Sequence, residues 1–324
     1  MSERAVLIIT QELDPHADVL VMHLEKRGLR PIRFHPRNLG TGAGLSCRID
    51  GEGYGWELET ESRRFGKADI ASVWYRRPMF AADPSLEPEE QEFARQEIQA
   101  ALMGILRLTD ALWVNHPDAI RIAETKLVQL RLARRLGFAI PPTLITNRPD
   151  EVLEFHRNHG GDVVCKVMTQ GLLGQTEAKG VYTNRINEGH LSHVGAVRAA
   201  PVMLQGRIEK LFDVRVTVIG RKLFATAIDS QVQAESRTDW RRGKVETIKH
   251  RPLRLPSEVA ARCRKLVREL GLVYGAIDLI ATPDGGWTFL EINPSGQFAW
   301  IESMTGQPLM AALVDVLLDK RPRR

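Results

Sequence analysis

Residues 274–297 read YGAIDLIATPDGGWTFLEINPSGQ. Two strand-like runs, Tyr274–Thr282 and Trp287–Asn293, flank Pro283-Asp284-Gly285-Gly286. Proline fixes φ, aspartate bonds its own backbone and glycine supplies positive φ, so the segment between the runs is a turn. The stretch predicts a β-hairpin with a four-residue loop. That loop sets Thr282 opposite Trp287 and, counting back, Asp278 opposite Glu291. Side chains alternate along a strand, so Glu291 and Asn293 share a face. Two carboxylates and an amide oxygen thus converge on one spot.

Opposed residues on antiparallel strands hold their Cβ atoms ~5 Å apart. Two carboxylates at that separation repel by roughly 3 kcal/mol at an effective dielectric near 20. The flanks Ala276-Ile277 and Phe289-Leu290 are apolar and screen the pair poorly, so a cation is expected between them. All-oxygen ligands suit a hard divalent ion, and Mg²⁺ usually completes its shell with water and phosphate. An ordinary acidic pair on a solvated hairpin face is the other reading of the same spacing. If repulsion dominates, Glu291→Gln without metal should hold or slightly raise stability.

Composition bounds the rest. The 324 residues are 43% hydrophobic and 26% charged, globular values that allow two or three domains. No apolar run approaches a membrane span, and the start leads straight into a strand-like Ala5–Thr10 rather than a signal peptide. Cys47, Cys165 and Cys263 are far apart and make neither a zinc spacing nor a disulfide framework. A reducing cytoplasm fits them. A net charge of +5 is too mild to argue for nucleic acid, and part of it lies in the tail Lys320–Arg324.

Along the chain, Ala5–Thr10, an amphipathic Asp14–Arg27 and Pro31–His35 predict a βαβ start of an open α/β domain. No G-x-G-x-x-G follows the first strand, so a dinucleotide site is not supported. Ser46–Leu58 is hairpin material. Ala71–Tyr75 runs into Trp74-Tyr75-Arg76-Arg77-Pro78, read as an aromatic cap on the core with solvated arginines, although an anion or peptide site is the alternative. Pro88–Leu106 is a helix, acidic in its first turn as the dipole prefers. A boundary is placed near residue 118.

Ala119–Leu136 predicts one helix carrying Lys126. Asp150–Asn158 and Ser257–Leu270 predict helices capped by Asp150 and Ser257. Lys166 interrupts the apolar strand Asp162–Met168, and a buried ammonium needs a carboxylate or a phosphate. Thr169–Gly180, with Gly171, Gly174 and Gly180, can fold over phosphates or serve as a plain hairpin loop. No P-loop pattern occurs. Pro201–Ile208, Asp213–Ile219 and Lys222–Asp229 are strands, with Asp213 and Arg215 on one face. Gln231–Lys249, containing Asp239-Trp240-Arg241-Arg242-Gly243, is a polar loop expected to move. Gln307–Leu318 is a final amphipathic helix.

The ordered set Lys126, Lys166, glycine loop, Gln205–Ile208, Asp213-x-Arg215, Asp278 and Glu291-x-Asn293 resembles the ATP-grasp superfamily over about residues 119–318. The resemblance implies mixed α/β and α+β architecture. An N-terminal open α/β pre-ATP-grasp domain (1–118) would precede a central lobe (119–200) and a C-terminal lobe (201–324). It implies that Lys126 and Lys166 hold the phosphates of ATP and that the backbone of Gln205, Gly206, Arg207 and Ile208 meets adenine. Asp213 would lie near the nucleoside and Arg215 would face the transferred phosphate, while Asp278, Glu291 and Asn293 would hold Mg²⁺. Gly206 stands where relatives often carry an acidic residue, and the hinge contact implied is through backbone. Val6–Thr10, Trp74–Pro78, Asp213–Val216 and Asp239–Arg241 look more narrowly like the graspetide (microviridin-type) peptide maturases.

That likeness implies an ADP-forming, cytoplasmic macrocyclase. It would activate Asp or Glu side chains of a ribosomal precursor peptide, with its leader and acidic core, and close esters or amides with Thr, Ser or Lys. Lys166 and Arg215 would balance charge on the transferred group, and Arg241 with Arg242 would meet the acidic peptide. No nucleic acid or membrane partner is implied, and assembly as a homodimer stays open. A ligase adding glutamate to a protein, a glutathione-synthetase-like ligase and a non-catalytic ATP-binding regulator are the rival readings. The intact Asp278, Glu291 and Asn293 argue against the last.

Overall fold

The structure, a computed structural model, describes residues 4–319 except 61–62, 170–171, 174–178, 181, 235 and 244–246. Contacts divide the chain into two compact units. One comprises Met1–Ile120, Gly271–Tyr274 and Pro308–Arg324, and the other Arg121–Leu270 and Gly275–Gln307.

The first unit is built on a parallel sheet in the order Ile32–Phe34, Ala5–Ile9, Ile70–Tyr75, Leu112–Val114. All five residues of Ala5–Ile9 are buried, the continuous apolar run of a strand covered on both faces. Helix Pro15–Glu25 starts at Asp14, whose carboxylate accepts His16 N–H at 3.1 Å. A three-stranded antiparallel sheet, Gly44–Asp50, Gly53–Glu59 and Arg64–Gly66, adds Trp56, Leu58 and Phe65 to the core. The last helix, Leu309–Leu317, belongs here rather than to a C-terminal lobe. Leu309, Met310, Ala312, Leu313, Val314, Val316 and Leu317 are all buried, so it needs cover on nearly every side. It packs on Pro15–Glu25 and Ile70–Tyr75, with Arg27 bonded to Asp315 at 3.1 Å.

One arginine of Trp74–Pro78 is not solvated. Arg76 is 4% exposed, with Nε 3.1 Å from Asp14 Oδ2, and Thr10 Oγ1 donates to the same oxygen at 2.6 Å. A helix-capping aspartate buried beside the strand ends supplies the partner a buried guanidinium requires. Arg77 is exposed, as expected. Burial, and then Arg76, press the neighbouring His16 imidazole down to about 4. A base whose folded pKa lies below its ordinary 6.5 is protonated first in the unfolded chain. Stability therefore falls as pH drops from 6.5 to about 4, by roughly 3 kcal/mol in total. Urea midpoints measured across that range should decline for the wild type and decline less for His16→Gln. Equal slopes refute this.

The second unit holds a two-stranded sheet and two larger ones. One runs Asn184–Arg185, Val163–Lys166, Val202–Gly206, Thr143–Thr146, all antiparallel, with Val152 of helix Pro149–Asn158 packed on Val163 and Leu204. The other runs His250–Pro252, Lys222–Ile228, Phe212–Ile219, Tyr274–Ala281, Trp287–Asn293, and helix Ser257–Glu269 covers it. The predicted caps shift. Arg148 and Pro256 occupy the N-cap positions, so Asp150 and Ser257 fall inside the first turns, where prolines begin or precede the helix. Leu172–Leu173 pairs with Lys179–Gly180, while Gly171 and Gly174 of the expected phosphate loop, and the basic tail, lie outside the described residues. Among the described residues no helix is long and apolar enough to cross a membrane.

Candidate active site

Strands Tyr274–Ala281 and Trp287–Asn293 form the predicted hairpin by a different route. Thr282 N–H donates to Gly286 O at 3.1 Å and Gly285 sits at φ 83°, which closes a three-residue loop rather than one of four. Ala281, not Thr282, therefore pairs with Trp287. A bulge then undoes the slip. Leu279 pairs with Phe289 but Asp278 with Glu291, so Leu290 is the extra residue. Bulges re-aim side chains beside active sites, and Leu290 lines the cavity described below.

Each carboxylate meets a cation of the protein. Arg215 Nε donates to Asp278 Oδ1 at 2.7 Å, and Lys126 Nζ donates to Glu291 Oε2. Burial pushes the Asp278 carboxyl up, and Arg215 opposes this only in part. Burial acts on Glu291 too, but Lys126 and Lys166 overcome it and hold that carboxyl at about 2. The ion pairs reverse the sign expected from repulsion alone. Glu291 sits among cations that favour its charge, so removing the charge costs stability.

The predicted single helix is two, Pro117–Ala123 and Lys126–Arg135, broken where Thr125 adopts extended backbone (φ −75°, ψ 104°). The break starts the second helix at Lys126, beside Glu291. One turn on, Gln129 is 1% exposed, and its amide bonds Ile292 twice, accepting from N–H at 3.0 Å and donating to C=O at 2.9 Å. A side chain acting as a strand partner fixes Glu291 and Asn293 on either side of Ile292. The sequence reading missed Gln129. Its signal was a polar residue three positions from Lys126, where helix neighbours share a face.

Asn293 is exposed, and its Oδ1 accepts Ser295 N–H at 3.0 Å with a lone pair to spare. The chain folds back immediately after it. A Cβ on Gly296 would lie 2.6 Å from Ala276 Cβ, so only glycine fits. Among the described residues no third acidic, histidine or cysteine side chain joins the pair. Two carboxylates and an amide oxygen form a hard, sparse donor set, which fits Mg²⁺ with places left for phosphate and water.

Lys166 ends strand Val163–Lys166. Burial lowers its pKa, and Glu291 pulls the other way. Among the described residues it has no carboxylate within ion-pair distance. A cavity of about 50 Å³ lies against it, walled by Pro141, Val164, Gln205, Gly206, Arg207, Ile208, Lys210, Ile280 and Leu290. Gly206 and Arg207 N–H already donate to Pro142 O at 3.0 Å and Asp162 O at 2.9 Å, so the hinge's free recognition narrows toward Ile208. Gln205 Nε2 donates to Thr143 Oγ1 at 3.0 Å. Asp213 is buried behind, held by Lys210 at 2.7 Å and Ser230 at 2.5 Å, and it is Lys210 that reaches the cavity wall.

Within Gln231–Lys249, Asp239 anchors one turn. Asp239 accepts Thr183 N–H at 3.2 Å and Arg241 N–H at 3.2 Å, and it pairs with the Arg241 guanidinium at 2.7 Å. That hydrogen bond raises the Arg241 pKa, against burial. Arg241 and Arg242 both lie over Tyr182, at 5.9 and 5.4 Å. Arg215, Lys126, Lys166 and Arg241 thus gather around two carboxylates within one unit.

Residues 5–121 match the model of the MvdD pre-ATP-grasp domain. Across 99% of this chain and 98% of the other, the structure superposes on a RiPP-associated ATP-grasp ligase of Chryseobacterium gregarium, solved with ADP and a leader and core peptide. The identity is 32% and the TM-score 0.90. The chain belongs to the RiPP-associated ATP-grasp ligases. Its fold is ATP-grasp with an N-terminal pre-ATP-grasp domain. Macrocyclase MdnC of Microcystis aeruginosa MRC, solved with precursor peptide MdnA, is 26% identical over 97% of this chain and 99% of that one, with a TM-score of 0.86. A probable alpha-L-glutamate ligase of Saccharophagus degradans is 27% identical over 209 residues. That alignment spans 63% of this chain and 66% of the relative.

Proposed function

We propose that this ligase activates Asp or Glu side-chain carboxylates of a ribosomal precursor peptide as acyl phosphates. It then closes ester or amide macrocycles with Thr, Ser or Lys, releasing ADP and phosphate. The observation that carries this reading is the gathering of Asp278, Glu291, Asn293, Lys126, Lys166 and Arg215 beside the hinge cavity, in a chain whose full-length relative is a peptide-bound ligase.

A carboxylate resists attack at neutral pH, so the work is to place a phosphoryl group on it and to neutralise charge. Lys126 and Lys166 hold the nucleotide phosphates, and the hinge through Ile208 holds the base. Asp278, Glu291 and Asn293 would hold Mg²⁺, which would neutralise charge on the phosphates. Arg215 presents its remaining donors to the transferred group. Arg241, fixed by Asp239, meets the acidic peptide. The three free cysteines suit a reducing cytoplasm. A glutamate-ligase reading draws only on matches to about two thirds of those proteins.

Incubated with its precursor peptide, ATP and Mg²⁺, the enzyme should return a peptide lighter by one water per ring, with ADP as the nucleotide product. Mass spectrometry reads this directly. An acceptor that gains mass, or AMP in place of ADP, overturns the macrocyclase reading.

A further inference from the structure

Arg215 is held by more than Asp278. Its guanidinium lies 5.7 Å from the ring of Trp240 and 6.0 Å from that of Trp300. Those two rings lie against each other, centroids 5.1 Å apart and planes tilted by 38°. The His250 ring stands edge-on to Trp300 at 5.2 Å. Arg215 is 8% exposed, while both tryptophans remain half-buried. Cation–π attraction strengthens as water is removed, and an offset aromatic pair adds to burial. Both tryptophans lie outside the phosphate, metal and hinge contacts assigned above.

The pair joins two separate elements. Trp300 sits in helix Ala299–Thr305, just after the Gly296 fold-back. Trp240 sits in the turn Trp240–Arg242, which Asp239 pins and which carries Arg241. The stack therefore ties the turn that meets the peptide to the arginine that meets the transferred phosphoryl group. Neither the Asp278 bond nor the Asp239 cap makes that connection.

We propose that Trp240 and Trp300 are positioning residues that seat Arg215 and keep water from the acyl phosphate. This rests on the macrocyclase reading and adds partition to it. Once the peptide carboxylate has taken the phosphoryl group and ADP has formed, two nucleophiles compete. Attack by the acceptor hydroxyl or amine on the acyl carbon breaks the carbon–oxygen bond to phosphate, and the acceptor proton leaves with phosphate. Attack by water breaks the same bond, regenerates the carboxylate and wastes one ATP. An aromatic wall against Arg215 leaves water less room at the acyl carbon and favours the first.

The test measures ADP released per ring closed, by coupled assay and mass spectrometry on the same sample. The wild type should stay near one ADP per ring. Trp300→Ala should raise the ratio by about threefold or more, the scale of a lost cation–π contact, with ADP affinity by calorimetry unchanged. Trp300→Phe should bring the ratio back toward one. Trp240→Leu, in a different element, should uncouple in the same way and guards against misfolding of the first variant. A wild type that closes no ring sinks the macrocyclase reading itself. Rings formed by Trp300→Ala or Trp240→Leu at one ADP each, or a Trp300→Phe enzyme as uncoupled as the alanine variant, overturn the role of the stack alone.

Discussion

A Glu291→Gln enzyme should close rings at least about a hundredfold more slowly than the wild type at ordinary Mg²⁺, because the site loses one of two anionic ligands. Its metal-free form should also be less stable. In the wild type the ammoniums of Lys126 and Lys166 hold the carboxyl at about 2 against an ordinary 4.5. A depressed carboxyl contributes stability that is complete above its ordinary value and fades as pH falls through its folded one. The window here is pH 4.5 to about 2, so the contribution is whole at pH 7, on the order of 3 kcal/mol. Glutamine removes it and leaves Lys126 beside Lys166 with less counter-charge. Denaturant unfolding in chelator, with calorimetric ADP titrations at low and high Mg²⁺, checks both halves. Full turnover by the variant refutes the metal assignment. Stability at or above the wild type refutes the charge account.

The architecture was legible where apolar periodicity and turn residues agreed, as in Ala5–Ile9 and the 274–297 hairpin. What escaped the sequence was the compensation between local errors. Counting a four-residue loop placed Asp278 opposite Glu291, yet the loop has three residues and the Leu290 bulge restores the pair. Such a bulge has no composition of its own. The break before Lys126 was hidden because Glu124-Thr125 differs little in helix propensity from its neighbours, and tertiary contacts to Glu291 and Ile292 decide it. The partners of Gln129 and Arg76 were hidden for the same reason. Those partners, Ile292 and Asp14, are 163 and 62 residues away. The grouping of the last helix with the first unit likewise depends on faces that only packing reveals.

Lys166→Met should move affinity and stability in opposite directions. The ammonium ends an apolar strand, and burial lowers its pKa more than Glu291 raises it, so its charge costs free energy in the empty protein. A methionine of similar length removes that cost. The apo variant should melt at or above the wild type, since replacing a poorly paired, half-buried charge by an apolar side chain is commonly neutral or stabilising. The sign has a second check. A base with a depressed folded pKa loses its proton in the fold first, so wild-type stability should gain as pH rises from the folded value toward 10.5, whereas the variant's should not. Nucleotide binding should fall meanwhile, because a charge-assisted contact to phosphate is worth roughly 1.5–3 kcal/mol, about 10- to 150-fold in Kd. A merely misfolded variant loses both. The double variant with Glu291→Gln makes the argument quantitative. With its carboxylate gone, Lys166 is costlier still, so Lys166→Met should stabilise that background more than it does the wild type. Equal increments in the two backgrounds mean the two side chains do not share a field. Unchanged ADP affinity in the single variant removes Lys166 from the phosphate site.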